Sequence, residues 1–112
     1  MSPEPLVQRR CKPCEQGGTP LPGSAAQVLL QDLPGWAIIE GKLIRKLITC
    51  RNFMEAVGLI QRIAELAEAE DHHPDLHLTH YKKLAIDLST HAVGGLSEND
   101  FILAAKIDRL LA

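Results

Sequence analysis

The chain has 112 residues, 46 % of them apolar, and a net charge of −2 at neutral pH. That length supplies one domain with one modest core. The slightly acidic balance excludes the basic face that non-specific nucleic-acid binding needs, and no apolar run approaches the ~18 residues of a membrane span.

Residues 1–23 are rich in proline and glycine, with Gly17-Gly18 and Pro20-Leu21-Pro22-Gly23, and read as a flexible N-terminal arm without regular structure. Arg9 and Arg10 are not followed by an apolar stretch, so no signal peptide is expected. Cys11-Lys12-Pro13-Cys14 is a lone CxxC. Zinc takes four ligands, and the second pair is missing, so the motif reads as two reduced thiols. Three cysteines, an odd number, suit a reducing compartment, and the expected setting is the cytoplasm.

The folded domain is expected over residues 24–112. Ser24 to Leu33 is a predicted helix with Ser24 as N-cap, stopped by Pro34-Gly35. Trp36 to Ile39 and Leu43 to Thr49 are predicted strands, joined through Glu40-Gly41-Lys42 as a hairpin. Trp36, the only tryptophan, has two readings: a core anchor, or a ring that covers a planar ligand. Asn52 to Glu70 is the clearest helix. Asn52 with Glu55 resembles a capping box, and Phe53, Ala56, Val57, Ile60, Ile63, Ala64 and Ala67 keep helical spacing.

The end of that helix breaks a rule. Glu65, Glu68, Glu70 and Asp71 crowd a C-terminus, where the macrodipole favours cations. Local rule-breaking concentrates at functional sites, and histidinium at 72 or 73 would relieve the clash. Glu70 is read as solvated, whereas Glu68 and Asp71, nearest the histidines, are candidates for the site. Pro74 bars the helical conformation for His73 and ends the helix.

Leu76 to Tyr81 and Lys83 to His91 are two further predicted strands. In the second, Leu84, Ile86, Leu88 and Thr90 share one face, while Ala85, Asp87, Ser89 and His91 share the other. His77 and His80 are read as surface residues. Gly94-Gly95 turns the chain, and Ser97 caps a last helix with Asp100 three residues on, so Asp100 has a structural role available. That helix is apolar nearly all round and is expected to be covered on two sides, by the sheet and by a second subunit. The order of helix, two strands, helix, two strands, helix predicts an α+β layer, with helices on one face of an antiparallel sheet.

All five histidines fall between residues 72 and 91. No other side chain has an unperturbed pKa so close to neutrality, so proton transfer at neutral pH would occur here. Three chemistries compete. Adjacent His72 and His73 point in different directions and HExxH is absent, which disfavours zinc. Ser89 and His91 share a strand face, but no GxSxG elbow accompanies them. General acid–base catalysis without a metal or other cofactor remains the best reading, because several imidazoles around one pocket can act as donor and acceptor together. The residues alone do not name a substrate.

Glu68-Ala69-Glu70-Asp71-His72-His73-Pro74, then Leu88-Ser89-Thr90-His91, then Gly95-Leu96-Ser97-Glu98-Asn99-Asp100, resembles the signature of the pterin-4a-carbinolamine dehydratase family in order and spacing. The similarity covers about residues 24 to 112, and Trp36 and the Asn52-Phe53 helix start also fit it. The resemblance implies a four-stranded antiparallel sheet with two to three helices on one face, assembled as a homodimer or homotetramer. It implies removal of water from a 4a-hydroxytetrahydropterin, in recycling of tetrahydrobiopterin. The catalytic set would be His72, His73 and His91, with His72 and His91 as acid–base groups and His73 holding the pterin. Glu68, Asp71, Ser89, Thr90 and Asp100 would orient the histidines or bind the ring, and Trp36 would border the pocket. Some members of the family also serve as transcriptional coactivators, and some bacterial relatives act as assembly factors without the activity. A non-catalytic binding module is therefore the alternative, although inactive relatives tend to lose the histidine set that this chain keeps.

Overall fold

The computed structural model describes residues 5–12 and 19–111. Its sheet follows from alternation. In Lys83–Leu88 (β4) the side chains of Leu84, Ile86 and Leu88 are buried. Each faces an apolar partner across the ladder: Ile48 and Ile44 on Leu43–Thr49 (β2), and Leu78 and Leu76 on Asp75–Thr79 (β3). Ala37–Ile39 (β1) adds Ile38 opposite Ile44. The order is β1-β2-β4-β3, all antiparallel. The even-numbered apolar row forms the floor of the core, and Phe101, Leu103 and Ile107 lie within the same core cluster. The opposite face carries Arg45, Leu47, Asp87 and His77, and the guanidinium of Arg45 binds Asp87 through two hydrogen bonds of 2.6 and 2.9 Å. The α+β class and the four-stranded sheet are as expected.

Three α-helices accompany the sheet: Gly23–Leu30 (α1), Phe53–Glu70 (α2) and Glu98–Leu111 (α3). Asn52 caps α2 as predicted, accepting the Glu55 N–H at 2.8 Å. The reciprocal half of the box differs, because the Glu55 carboxylate takes the N–H of Arg51. Helix α1 starts one residue earlier than predicted, after Pro22, and Ser24 does not cap it.

Helix α2 carries two apolar stripes rather than one. Ala56, Leu59, Ile63 and Ala67 are buried. Phe53 and Val57, expected in the core, belong to the second stripe and are exposed, as is Met54 beside them. Both stripes obey the same spacing, so periodicity could not tell which one faces the sheet.

Two further expectations are corrected. The described part of the arm is not without structure: Leu6–Gln8 forms a 3-10 turn, Leu6 is buried, and the turn packs on α3. Within the chain, this turn adds to the covering of α3. Cys14, the second thiol of the CxxC, lies outside the described residues. The strand of residues 83–91 ends at Leu88. Thr90 bridges to Gly95, exchanging hydrogen bonds of 2.7 and 3.4 Å. His91 then opens a 3-10 turn, His91–Val93, closed by Gly94 in the left-handed region at φ 69°.

Candidate active site

The cleft is assembled from a helix end, a strand end and a helix start. Asp71 ends α2 in the left-handed conformation, with φ 52°. The N–H of His72 returns to the carbonyl of Ala67 at 3.1 Å, which closes the last turn. Pro74 then forces an extended exit. This turn sends the two adjacent imidazoles to different partners.

His72 turns inward, and its Nε2 lies 2.7 Å from Oδ1 of Asp100. Asp100 is fully buried. A buried carboxylate is costly unless its oxygens are satisfied, and here both are engaged. Oδ2 accepts the Ser97 N–H and the Thr90 hydroxyl, each at 2.9 Å, while the Thr90 and Ser97 hydroxyls lie 2.7 Å apart. One oxygen thus caps α3, and the other holds His72. An ionised carboxylate only accepts, so opposite ionised Asp100 the Nε2 atom donates, and in a neutral ring the lone pair then lies on Nδ1.

His73 is more exposed, and its Nε2 is paired with Oε2 of Glu68. His91 is exposed at the start of its 3-10 turn. The three histidines, with Asp71, Ser89 and Thr90, line one cleft of about 450 Å³. Glu68 and Asp100 act on it through the histidines they hold rather than as lining residues. Lys12, Ala92 and Asn99 complete the lining and were not singled out from the sequence. Asn99 lay inside the Gly95 to Asp100 motif, but nothing in that segment tells which side chain faces a cavity. Lys12 gave no signal at all, because the arm carried no periodicity that could dock it.

Trp36 does not line this cleft. It is buried, its indole N–H donates to Oδ1 of Asp108 at 3.0 Å, and Lys46 lies 5.9 Å from the ring centroid. Asp108 is two turns beyond Asp100 on α3, roughly 12 Å along the axis at 1.5 Å per residue. Trp36 therefore anchors the opposite end of the helix, which is the core reading of this residue. Glu70, expected to be solvated, is partly buried and the least exposed acid of the group. Its carboxylate binds Lys106 at 2.9 Å and accepts the Cys11 N–H at 3.0 Å. Burial pushes the Glu70 carboxyl up, but the Cys11 N–H and the Lys106 ammonium outweigh it and hold the group below the usual carboxylate range. His77 lies on the surface as expected and has a partner there, 3.5 Å from Asp87. Among the described residues, no three His, Cys, Asp or Glu side chains converge with metal-ligand geometry.

The family model described as Pterin 4 alpha carbinolamine dehydratase matches residues 19–110. A Dechloromonas aromatica protein provisionally named pterin-4-alpha-carbinolamine dehydratase is 46 % identical over 106 residues, covering 95 % of this chain and 93 % of its own. The Arabidopsis thaliana protein named pterin-4-alpha-carbinolamine dehydratase 2, mitochondrial, is 41 % identical over 109 residues, covering 94 % of this chain and 58 % of its own. Among solved structures, a transcriptional coactivator/pterin dehydratase from Brucella melitensis superposes with a TM-score of 0.77 at 28 % identity, covering 84 % of this chain and all of its own.

Proposed function

This chain belongs to the pterin 4 alpha carbinolamine dehydratase family of hydro-lyases, and from that premise we propose that it removes water from a 4a-hydroxytetrahydropterin to give the quinonoid dihydropterin, by metal-free histidine acid–base catalysis. The observation that carries this reading is the convergence of three imidazoles on one cleft, one of them backed by a buried carboxylate.

The chemistry needs two proton transfers. Hydroxide leaves C4a poorly unless it is protonated as the C–O bond breaks. The neighbouring ring nitrogen supplies the electron pair for the new C=N bond and loses its N–H proton. An imidazole can serve in either transfer, and each is worth about 10²–10⁴ in rate. His72 and His91 take these roles, and they can exchange them between the two 4a epimers. Asp100 holds His72 in one tautomer and stabilises the imidazolium that forms when the ring accepts a proton. His73, pinned by Glu68, holds the pterin. Ser89, Thr90 and Asp71 offer polar edges to the bicyclic ring. A cleft of about 450 Å³ falls within the range of small-molecule sites, about 300–1,000 Å³.

The same reading places the enzyme in the cytoplasm, in tetrahydrobiopterin recycling, as a homodimer or homotetramer. Free Cys11 and Cys50 and the exposed stripe of α2 support the compartment and the assembly. No helix among the described residues is long and apolar enough to cross a membrane. The test is stopped-flow absorbance on freshly made 4a-hydroxytetrahydropterin, in which the protein accelerates formation of the quinonoid product. Absence of any acceleration would favour a non-catalytic binding or assembly module on the same fold; the Brucella protein is described as a transcriptional coactivator/pterin dehydratase.

A further inference from the structure

The mechanism above leaves the N-terminal segment without a role, yet that segment is firmly anchored. Leu6 is buried in the core. Beyond the 3-10 turn the chain crosses the junction where α2 ends and α3 begins, and it bonds to both. The Cys11 N–H donates to Oε1 of Glu70, the last residue of α2, at 3.0 Å. The Lys12 N–H donates to Oδ1 of Asn99 at 2.9 Å, and the Asn99 amide returns a hydrogen bond of 2.5 Å to the Lys12 carbonyl. Arg9 pairs with Glu98 at 3.2 Å. Glu70 also reaches α3 directly, through Lys106 at 2.9 Å.

These contacts fall at particular places. Glu70 precedes His72 by two residues, and Asn99 immediately precedes Asp100. His72 and Asp100 are 28 residues apart in sequence, and no single element carries both. Their separation depends on how the end of one helix is set against the start of another. Catalytic geometry tolerates little error, and a misplacement of about 1 Å can cost 10²-fold in rate.

We propose that Arg9–Lys12 is a clamp that ties the C-terminus of α2 to the N-terminus of α3, so that Glu70 and Asn99 are positioning residues for the His72–Asp100 pair and Lys12 forms part of the cleft wall. The clamp rests on the proposed dehydration for its catalytic consequence, but not for its structural one. Its docking has an internal reporter. The Cys11 thiol is half-buried, and desolvation, followed by the nearby Glu70 carboxylate, pushes its pKa up to about 12. A docked clamp therefore keeps Cys11 slow to alkylate at pH 8, since the thiolate is the nucleophile.

The experiment uses the full chain with Glu70→Ala, Glu70→Gln and Asn99→Leu. A core variant, Ile44→Val, serves as a control for loss of stability alone. Three quantities are measured: iodoacetamide labelling of Cys11, resolved by peptide mass; the hydrogen-bonded Nε2–H resonance of His72 in histidine labelled with nitrogen-15; and kcat and KM for dehydration. Glu70→Ala and Asn99→Leu are expected to speed Cys11 labelling, broaden the His72 resonance and lower kcat by about 10- to 100-fold. KM should change less than kcat in Glu70→Ala, because Glu70 does not line the cleft. Glu70→Gln keeps an acceptor for the Cys11 N–H and should recover most of the loss. Ile44→Val should leave all three readouts in place. Faster labelling with an unchanged resonance and kcat would overturn the clamp, and so would unchanged labelling in both Glu70→Ala and Asn99→Leu. Should Glu70→Ala not fold, Asn99→Leu decides through Cys11 labelling and the His72 resonance, because it leaves the Glu70–Lys106 pair intact, while its kcat does not decide because Asn99 lines the cleft. A wild-type protein without dehydratase activity would reject the catalytic reading, while the labelling and resonance measurements would still judge the clamp.

Discussion

Asp100 serves two structures at once. Its Oδ2 accepts the N–H of Ser97, the residue before α3, together with the Thr90 hydroxyl, and its Oδ1 receives His72. Asp100→Asn keeps the shape and one acceptor oxygen but faces His72 with either a donor or a weaker acceptor. The expected outcome is a fall in kcat of about 10²-fold or more with a small change in melting temperature. Asp100→Ala removes both acceptors and should add a stability loss of about 1–3 kcal/mol, measured by denaturant unfolding. The capping role was legible from Ser97 and Asp100 alone, because caps follow local spacing. The second role was not, because it depends on a partner from another part of the chain. Asp87 gives a further test at this scale. The hydrogen bonds from Arg45 outweigh burial and hold the Asp87 carboxyl below its ordinary range, with His77 adding to the effect. A depressed folded pKa means that the stabilisation is complete above the unfolded value, about 3.9, and is lost as pH falls through the lower folded value. Asp87→Asn should therefore flatten the fall in melting temperature below about pH 4. An acid limb as steep as the wild type's would remove Asp87 from that account.

At the level of elements, the strands were legible because alternation reports burial directly, and β2 has the predicted bounds. Helix α2 was legible in extent but not in orientation. Its stripe of Ala56, Leu59, Ile63 and Ala67 is taken up by the core, which leaves Phe53, Met54 and Val57 facing outward. Three adjacent exposed apolar side chains on one helix make an association surface. Val57→Glu preserves helix propensity while placing a charge on that surface. It should lower the sedimenting mass towards the monomer without lowering helix content. A wild-type protein that already sediments as a monomer would remove this surface from the proposed assembly. The position of His91 was misread for a related reason. Alternation continued formally to residue 91, but the Thr90–Gly95 bridge stops the strand and starts a turn. That bridge closes a loop whose shape local propensity does not encode.

Across the whole molecule, the candidate site sits where the ends of three elements meet: the end of α2, the end of β4 and the start of α3. The N-terminal segment closes the junction from outside. The cluster of five histidines was legible from residue type; the choice of His72, His73 and His91 among them came from the family resemblance, and these three line one cleft. Their acid partners were legible in part, and Trp36 was placed at the pocket although it anchors the far end of α3. A ring that fits either a core or a ligand cannot be assigned by type alone. The most direct measurement of the central claim is single-turnover stopped-flow dehydration by the wild type and by the folded double variant His72→Ala/His91→Ala, on each 4a epimer. The account predicts loss of at least about 10²-fold for both epimers, with the unfolding midpoint little changed; wild-type rates from the double variant would contradict it.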